Sequence, residues 1–516
     1  MRKYVFLLFL TISGCLYATP KIRLPNNVVD GRCVLNQEMI TKTNTTYIIR
    51  YSYDLEGKTI EIPEGSCLLF KRKGAIQNGS IVFNNNLVSN ELFDNIYSAK
   101  GKIRSDKLFA ERYGFFDDTE KLRFLLSQLT ENVSLVLEHN KDYYINSLKS
   151  QSRVIYDEAF VRLVRSKNIS IIGNGSTIHD SADKELIGMN LYSLIRFENC
   201  QNVTIHDITY NWQHETVFLP KVQGIIFLRT IDECKKFDIK MNVNNAGRGL
   251  YSGCWNYSGD PGRGLCDSKI EVHGYKVGYS IAIEKGDNLD IKNYFNIAHR
   301  GTYLAGVTNS RVYVEGKDAY STMVNLLMTD THDCNGCYFC DNIDATIVDI
   351  GSTDLTKGAV LMCQCNTYPQ SYEQFRNRLP YNVSSINVHI KTPSNTNHIY
   401  EGFMFTDMAQ VGDSVNVIVD GDLKDQSKAS VLVRFWQSPS GNYTFNSVHG
   451  YNNNVVIRDR LPDNSNIIFN GCENIVFTER LFDKTNSSIV FKNCSFKSYN
   501  KYAGNAKEIL PYITIE

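Results

Sequence analysis

The stretch FDDTEKLRFLLSQL, residues 116–129, has the pattern of a helix that begins with acidic residues. Asp117 can cap the first turn, and Glu120, three residues later, can reach back to it. The leucines from Leu122 to Leu129 recur at helical spacing, so one side of the helix is apolar. The stretch therefore predicts an amphipathic helix that covers other apolar surface.

Two strand patterns follow this helix. In VSLVLEHNKDYYIN, residues 133–146, apolar residues alternate with polar ones before a polar turn at 139–142, and a second short strand begins at Tyr143. In NISIIGNGSTI, residues 168–178, a β-branched run is broken by Gly-Asn-Gly. The helix is thus predicted to cover the unpaired edge of the neighbouring strands.

This order of elements resembles the opening of right-handed parallel β-helix proteins of the pectate-lyase-like superfamily. In that family the helix caps the open end of the solenoid. The chain departs from the usual pattern in one place, because YGFF, residues 113–116, stands where Gly-Asp-Gly is usual. The resemblance implies an all-β chain, a right-handed parallel β-helix with a capping α-helix, and it identifies the chain as a divergent member.

Length and composition fit that fold. Repetition lets one solenoid reach 516 residues without a growing spherical core. The 55 basic and 55 acidic residues balance, which argues against a general binder of nucleic acid or membrane surfaces. The 30 Tyr and 26 Phe, against 11 Pro, favour a strand-rich fold with aromatic faces of the kind that sugar binders present.

Short strands separated by turn residues recur along the rest of the chain. Beyond Ile178 their starts lie about 20 to 35 residues apart, the period of a β-solenoid coil. Turn residues such as Asn202, Asn288 and Asn309 are expected to stack at the bends. We predict an N-terminal β-layer or cap over residues 16–110 and the β-helix catalytic domain over residues 111–516.

The N-terminus has the pattern of an export signal. Arg2 and Lys3 precede an apolar run over residues 4–12, which is too short to span a membrane. The tetrapeptide ISGC, ending at Cys15, resembles a bacterial lipobox, and ordinary cleavage near Ala18 is the alternative. Residues 1–15 are thus predicted to be a signal peptide, and the mature protein an outer-membrane lipoprotein at the cell surface or in the periplasm. The family resemblance implies a glycan-foraging Gram-negative bacterium as its source.

The 14 cysteines leave two questions open. Cys254 and Cys266 bracket a Gly-rich loop that a disulfide can pin, although connectivity does not follow from sequence. The cluster DCNGCYFC, residues 333–340, with Cys363 and Cys365 downstream, superficially suggests a metal site. Buried thiols are the favoured interpretation, since zinc sites pair such spacings with a second set of ligands.

In a parallel β-helix a site is assembled from residues about one coil apart, since these stack on one face. The densest supply of polar groups lies between residues 210 and 335, including His273, Asp330 and Asp333. Within this region the most distinct local cluster of such groups is AHRGTY, residues 298–303. The candidate catalytic residues are His299, Arg300, Tyr303, Lys285 and Glu284.

These residue types suit eliminative cleavage of a uronate polymer. That reaction needs the carboxylate neutralised, the C5 proton removed and the departing O4 protonated. Arg300, with help from Arg248, is assigned to the carboxylate, because a guanidinium fork matches its two oxygens. His299 or Lys285 is the candidate base and Tyr303 the proton donor. The alternative is that these residues form an exposed strand end.

Glu284 admits other roles. With Asp330 or Asp333 it can supply the paired carboxylates, about 5 to 10 Å apart, of a glycoside hydrolase. It can also bind Ca²⁺, the one cofactor that the resemblance suggests, or form a salt bridge near Lys285. The motifs of the polygalacturonase branch are absent, which favours elimination over hydrolysis.

Two stretches rich in Trp, Tyr and Gly, residues 205–223 and 245–267, are predicted to be loops that form a sugar-binding rim, with packing of the loops themselves as the alternative. Other residues of these loops are Tyr210, Asn211 and Tyr257. The candidate substrate-binding residues are Arg248, Tyr251, Trp212, His214, Lys221, Trp255 and His332.

The predicted function is that of a polysaccharide lyase that cleaves a uronate-containing glycan by β-elimination. A glycosaminoglycan such as chondroitin sulfate or hyaluronan is the favoured substrate, by analogy of fold. The alternatives are a β-helix glycoside hydrolase and a non-catalytic glycan-binding solenoid. The expected partners are an anionic polysaccharide and the outer membrane, through the lipid anchor, but no nucleic acid, and the protein is expected to be a monomer.

Overall fold

A computed structural model describes most of the first 350 residues and shorter pieces of the remainder. The described residues are 19–71, 73–89, 91–149, 151, 153–154, 158–188, 190–214, 224–253, 264–327, 340–350, 361–363, 386–391, 400–406, 415–422, 431–436, 441–448, 455–458, 461, 463–477, 485–496 and 513–516. Among them no helix is long and apolar enough to cross a membrane.

The described elements are mostly short strands. The strands are β1 (Lys21–Arg23), β2 (Val28–Val29), β3 (Arg32–Val34), β4 (Thr46–Ile49), β5 (Ser52–Asp54), β6 (Thr59–Glu61), β7 (Cys67–Phe70), β8 (Ala75–Ser89), β9 (Phe93–Arg104), β10 (Lys107–Phe109), β11 (Tyr113–Phe115), β12 (Ser134–Val136), β13 (Asp142–Ile145), β14 (Glu158–Val164), β15 (Lys167–Asp180), β16 (Tyr192–Glu198), β17 (Gln201–Trp212), β18 (Ile226–Ile231), β19 (Cys234–Asn244), β20 (Arg248–Gly253), β21 (Leu265–Ile283), β22 (Gly286–Ala305), β23 (Val307–Leu327), β24 (Asp341–Asp349), β25 (Leu361–Cys363), β26 (Ile386–Lys391), β27 (Tyr400–Thr406), β28 (Val415–Asp422), β29 (Val431–Trp436), β30 (Gly441–Asn446), β31 (Val455–Arg458), β32 (Asn466–Asn470), β33 (Ile475–Phe477), β34 (Ser488–Lys492) and β35 (Ile513–Ile515). The helices are α1 (Asp118–Ser127), α2 (Lys184–Ile187) and two 3₁₀ turns, Gln37–Met39 and Ala110–Arg112.

The chain divides into two compact units. The first contains residues up to 149 together with 167–179, and the second contains residues 150–166 and 180–516. The helix α1 belongs to the first unit, where Phe124 stacks on Phe83 at 5.9 Å between ring centroids. The N-terminal layer predicted to end at residue 110 stays a prediction.

The first unit is built from parallel pairs, with one antiparallel hairpin between β2 and β3 among its described strands. Ile60 and Ile62 are buried, while Thr59 and Glu61 are exposed, as their alternation predicted. The strand β12 pairs in parallel with β10 on one side and β15 on the other. Alternate residues along these strands form the apolar interior.

The helix α1 starts and packs largely as predicted. The carboxylate of Asp117 accepts a hydrogen bond from the backbone N–H of Thr119 at 2.7 Å. The apolar face is buried, and its members are Leu122, Leu125, Leu126 and Leu129. The predicted return contact of Glu120 to Asp117 is wrong, because Glu120 pairs with Arg123 one turn on, at 2.9 Å.

Replacing Asp117 by alanine is expected to destabilise the protein by about 1 kcal/mol, the usual cost of losing an N-cap. Burial raises the pKa of Asp117, but hydrogen bonds from Lys149 and Thr119 outweigh it and hold the pKa below its ordinary value. The stabilisation is thus present at neutral pH and is lost as the pH falls through that depressed pKa. Urea unfolding at neutral pH measures the change.

Replacing Glu120 by alanine is the matched control, since its half-exposed pair with Arg123 contributes about a few tenths of a kcal/mol. Equal losses for the two variants would contradict the assignment of the cap to Asp117.

The second unit consists of stacked parallel strands. One ladder runs from β14 through β16, β18 and β20 to the C-terminal halves of β21, β22 and β23, and a second runs from β17 through β19 and the N-terminal halves of β21, β22 and β23 to β24 and β26. Hydrogen bonds that side chains make between successive coils join residues 21 to 37 positions apart, close to the predicted repeat of about 20 to 35 residues. The parallel pairing and this repeat are consistent with a β-helix-like fold.

The bends of the second unit are marked by residues with positive φ. Asn202, Asn288 and Asn309 have φ of 54°, 55° and 50°. The Asn288 amide donates to Asp267 at 2.7 Å, and the Asn342 amide donates to Asn309 at 2.8 Å. The predicted stacking of Asn288 and Asn309 at a bend is confirmed. Asparagine tolerates positive φ, and its side-chain amide forms a hydrogen bond with the neighbouring coil.

One exposed face of this unit carries a ladder of alternating charge. In register order its members are Asp238, Lys269, Asp290, Arg311 and Asp344. Opposite charges directly across neighbouring strands stabilise the register. On this face each cation therefore lies between two carboxylates.

Candidate functional site

A second face of the same coils carries arginines and tyrosines instead of alternating charges. One ladder places Arg229, Tyr251, Ala282 and Tyr303 at the same position of successive coils. A second ladder, three residues earlier on each strand, places Arg248, Tyr279 and Arg300 in register. We define the arginine–tyrosine site as Arg229, Arg248, Tyr251, Tyr279, Glu284, Arg300 and Tyr303.

Contacts between the two ladders show that they share one face. The guanidinium carbon of Arg248 lies 4.4 Å from the centre of the Tyr251 ring and 5.5 Å from that of Tyr279. The guanidinium of Arg300 lies 5.7 Å from the Tyr279 ring, and the Tyr303 ring meets Tyr279 edge-on at 5.7 Å. Tyr279 is therefore the centre of the site.

The carboxylate of the site is Glu284, which follows the last residue of β21. Its backbone N–H donates to the carbonyl of Ser252 at 2.8 Å, which ties it to the neighbouring coil. The hydroxyl of Tyr251 donates to Glu284 Oε1 at 2.8 Å. The negative charge of Glu284 also acts on the hydroxyl of Tyr303. One carboxylate thus acts on two phenols.

Both phenols remain protonated at neutral pH. Burial, followed by the negative charge of Glu284, raises the pKa of Tyr251 well above its usual value. The same two causes, in the same order, raise the pKa of Tyr303. The arginines Arg248 and Arg300 oppose this shift at Tyr303, but they do not cancel it. A protonated phenol can act as a proton donor.

The arginines differ in the groups that offset their positive charge. In the described part of the chain, Arg248 and Arg300 contact tyrosine rings and make no ion pair, and the Arg300 Nε atom has no hydrogen-bond partner. By contrast, Arg196, which lies in register with Arg229, pairs with Glu198 at 2.6 Å. Arg229 is fully buried and lies 5.3 Å from the Tyr251 ring.

His299 lies at the edge of the site. Its ring is 6.3 Å from Tyr279 and stacks on the exposed Tyr320 at 5.6 Å. Lys285 is half-buried at the bend between β21 and β22. The cluster of His299, Arg300 and Tyr303 is thus held together, with all three side chains in contact with Tyr279.

Several residues of the predicted binding rim have other roles. Trp212 is fully buried, and its indole N–H donates to the carbonyl of Ala182 at 2.9 Å. This placement corrects the prediction for Trp212, and the 2% exposure of Tyr251 corrects it for that ring as well, because a ring enclosed in the core cannot stack on a sugar. His214 packs edge-on against Trp212, with ring centroids 5.0 Å apart. Tyr210 is also buried, and its hydroxyl donates to Asp180 at 3.1 Å.

His273 lies away from the site. It interacts with Glu271 at 3.2 Å and stacks on Tyr294 at 4.6 Å. Several predicted residues lie outside the described residues, namely Lys221, Trp255, Tyr257, Cys254, Asp330, His332, Asp333, Cys334, Cys337 and Cys365.

No metal site is found in the described ranges, which hold no group of three or more His, Cys, Asp or Glu side chains suited to an ion. Cys340 is buried, and its thiol donates to the carbonyl of Leu304 at 3.6 Å.

Arg229 and Tyr279 belong to the site although they were not among the predicted residues. Tyr279 lies between Arg248 and Arg300 in the register, a placement that the approximate coil spacing of the sequence does not resolve. Arg229 carries a different signal, since it is a single charge within the apolar strand IFLRTI. A buried charge of this kind needs compensation, so it is a candidate for function.

Comparisons with known proteins add little. No family model matches the chain, and no curated protein matches it. One solved structure that it resembles is the catalytic domain of a GH87 alpha-1,3-glucanase in complex with nigerose, with 11% identity, a TM-score of 0.29, and coverage of 96% of this chain and 68% of that one. A likeness this distant carries no argument about function.

Proposed function

We propose that this protein is a polysaccharide lyase that cleaves a uronate-containing glycan by β-elimination at the arginine–tyrosine site. The observation that carries the proposal is the pair of guanidinium groups, Arg248 and Arg300, on either side of Tyr279. Within the described residues neither has an ion-pair partner, while a protonated phenol and a carboxylate lie beside them.

Arg300 and Arg248 hold the uronate carboxylate. A guanidinium presents parallel N–H groups that match the two oxygens of a carboxylate. Neutralising that charge makes the C5 proton more acidic, which is the difficult part of elimination. The partly buried setting strengthens this effect, because less water competes for the charge.

Proton transfer completes the reaction. His299 or Lys285 removes the C5 proton, and the electron pair of that C–H bond forms the C4–C5 double bond. The C4–O4 bond breaks at the same time, and Tyr303 gives its phenolic proton to the departing O4. Burial, and after it the charge of Glu284, raises the pKa of Tyr303 and so keeps this proton in place before the reaction.

A panel of polysaccharides tests the proposal. Purified protein is incubated with chondroitin sulfate, hyaluronan, a polyuronate and a neutral glucan, and ultraviolet absorbance and reducing ends are followed together. Absorbance from unsaturated uronate products on an acidic polymer is the expected result. New reducing ends without that absorbance would indicate a hydrolase, and binding without either product would indicate a glycan-binding solenoid; both outcomes contradict the proposal.

We further propose the fold and location that the sequence predicts. The parallel coils form a right-handed β-helix of the pectate-lyase-like kind, α1 caps its open end, and the chain is an exported, lipid-anchored monomer. Support comes from the parallel ladders of both units, from the amphipathic helix and from the lipobox pattern that ends at Cys15. Mass analysis of the mature N-terminus tests the lipid anchor.

A further inference from the structure

Two cysteines occupy the same position of consecutive coils near the end of the second unit. Asn470 of β32 pairs with Lys492 of β34, and Cys472 and Cys494 each lie two residues further along. Backbone hydrogen bonds continue this alignment: Gly471 N–H donates to Lys492 O at 2.8 Å, and Ser495 N–H donates to Cys472 O at 3.0 Å. The two cysteines are therefore direct neighbours across the coils.

Their spacing and orientation suit a disulfide. Adjacent strands lie about 4.8 Å apart, within the range of about 4.4 to 6.8 Å between the Cα atoms of bridged cysteines. The Cys494 Sγ atom lies 3.3 Å from the carbonyl of Phe469, which belongs to the coil that holds Cys472. The Cys494 thiol thus points toward the coil of its neighbour.

The two thiols are chemically unequal. Cys472 is fully buried, whereas Cys494 is half-buried. A hydrogen bond from Cys472 lowers the pKa of Cys494 to about 7 and raises that of Cys472. Cys494 is accordingly the thiol that ionises and can attack a disulfide first.

We propose that Cys472 and Cys494 form a disulfide that joins the last coils of the second unit. The oxidant is a disulfide of a protein or small molecule of the exporting compartment. The Cys494 thiolate attacks it and releases one partner thiol; Cys472 then attacks the mixed disulfide and releases the second. The partner disulfide is reduced to two thiols, which keep the two protons. This inference rests on the proposed export of the chain, and it does not depend on the proposed lyase reaction.

A second stacked pair in the same unit provides an internal control. Cys200 and Cys234 also lie in register on neighbouring coils, next to the paired Gln201 and Lys235. Both thiols are buried, and burial raises the pKa of each. Neither favours the thiolate, so this pair is expected to stay reduced.

Peptide mapping of the full-length protein tests the inference. The protein is equilibrated in glutathione buffers from reducing to oxidising, denatured in excess iodoacetamide, digested and analysed by mass spectrometry. A cross-linked peptide containing Cys472 and Cys494, absent after treatment with dithiothreitol, is expected, while Cys200 and Cys234 are alkylated. Complete alkylation of Cys494 in every buffer, with no cross-linked peptide, would overturn the inference.

A variant gives a second readout. Cys494→Ser is expected to lower the thermal midpoint by a few degrees in oxidising buffer and to match the unaltered protein in reducing buffer. A decrease of equal size in both buffers would show a packing role without a disulfide.

Discussion

Replacing Tyr303 by phenylalanine is expected to lower kcat on an acidic polysaccharide by about 100- to 10,000-fold, the usual contribution of a positioned acid or base. The variant loses only the phenolic oxygen, while its ring keeps the edge-on contact with Tyr279. KM and the thermal midpoint should therefore change little. Steady-state kinetics on the polymer that gives the strongest signal, followed by ultraviolet absorbance, measures the effect.

Tyr313→Phe is the matched control for this variant. The Tyr313 hydroxyl also lies beside a carboxylate, with a hydrogen bond to Glu315 at 2.5 Å that raises the pKa of Tyr313 to about 12. It lies outside the arginine–tyrosine site, so the control should keep full activity. Full activity of Tyr303→Phe would remove Tyr303 from the reaction and move the search for the proton donor to Tyr251 or Tyr279.

Arg300→Ala is expected to lower kcat/KM about 10- to 150-fold, since hydrogen bonds to charged groups contribute about 1.5 to 3 kcal/mol each. The loss arises because the variant can no longer neutralise the uronate carboxylate. Arg300→Lys should recover only part of the activity, because an ammonium keeps the charge but lacks the planar fork. Kinetics at several salt concentrations separate these two contributions.

Arg311→Ala is the matched control, because Arg311 lies on the next strand between Asp290 and Asp344 on the face of alternating charge. Removing it should leave kcat/KM within about twofold, as for most surface substitutions. If both arginine variants lost activity equally, the effect would reflect net charge, and Arg300 would have no specific role.

Elements with strong periodicity could be predicted from sequence. The leucines of α1, the alternation around Ile60 and the asparagines at the bends each follow a local rule, and each lies where that rule places it. The predicted contact of Glu120 with Asp117 was wrong because Glu120 can also reach Arg123, one turn on, and it pairs with that residue. Local rules identify candidates, but the choice among partners depends on the folded neighbourhood.

The coil rule predicts much of the site, because a steady repeat converts sequence separation into register. Applied to the sequence alone, it groups Arg248, Glu284, Arg300 and Tyr303 in one region. It does not predict which residues face each other across neighbouring strands, since the spacing varies from 21 to 37 residues. Without the register, Tyr279 could not be placed between the two arginines.

The error at Trp212 has a clear physical cause. Composition suggested a loop, whereas the strand β17 continues as far as Trp212. Within this strand Ile208, Tyr210 and Trp212 alternate with less buried residues and are all in the core. The period of two was the better guide, and the aromatic content of the segment was misleading.

The most direct test of a shared site is a double-mutant cycle between Arg248 and Arg300, which lie on different coils with Tyr279 between them. Binding of an oligouronate is measured by calorimetry for the unaltered protein, Arg248→Ala, Arg300→Ala and the double variant. If both side chains hold one carboxylate, the losses are not additive, and the coupling energy is about 0.5 to 3 kcal/mol. Losses that add to within about 0.3 kcal/mol would contradict a single site shared by the two arginines.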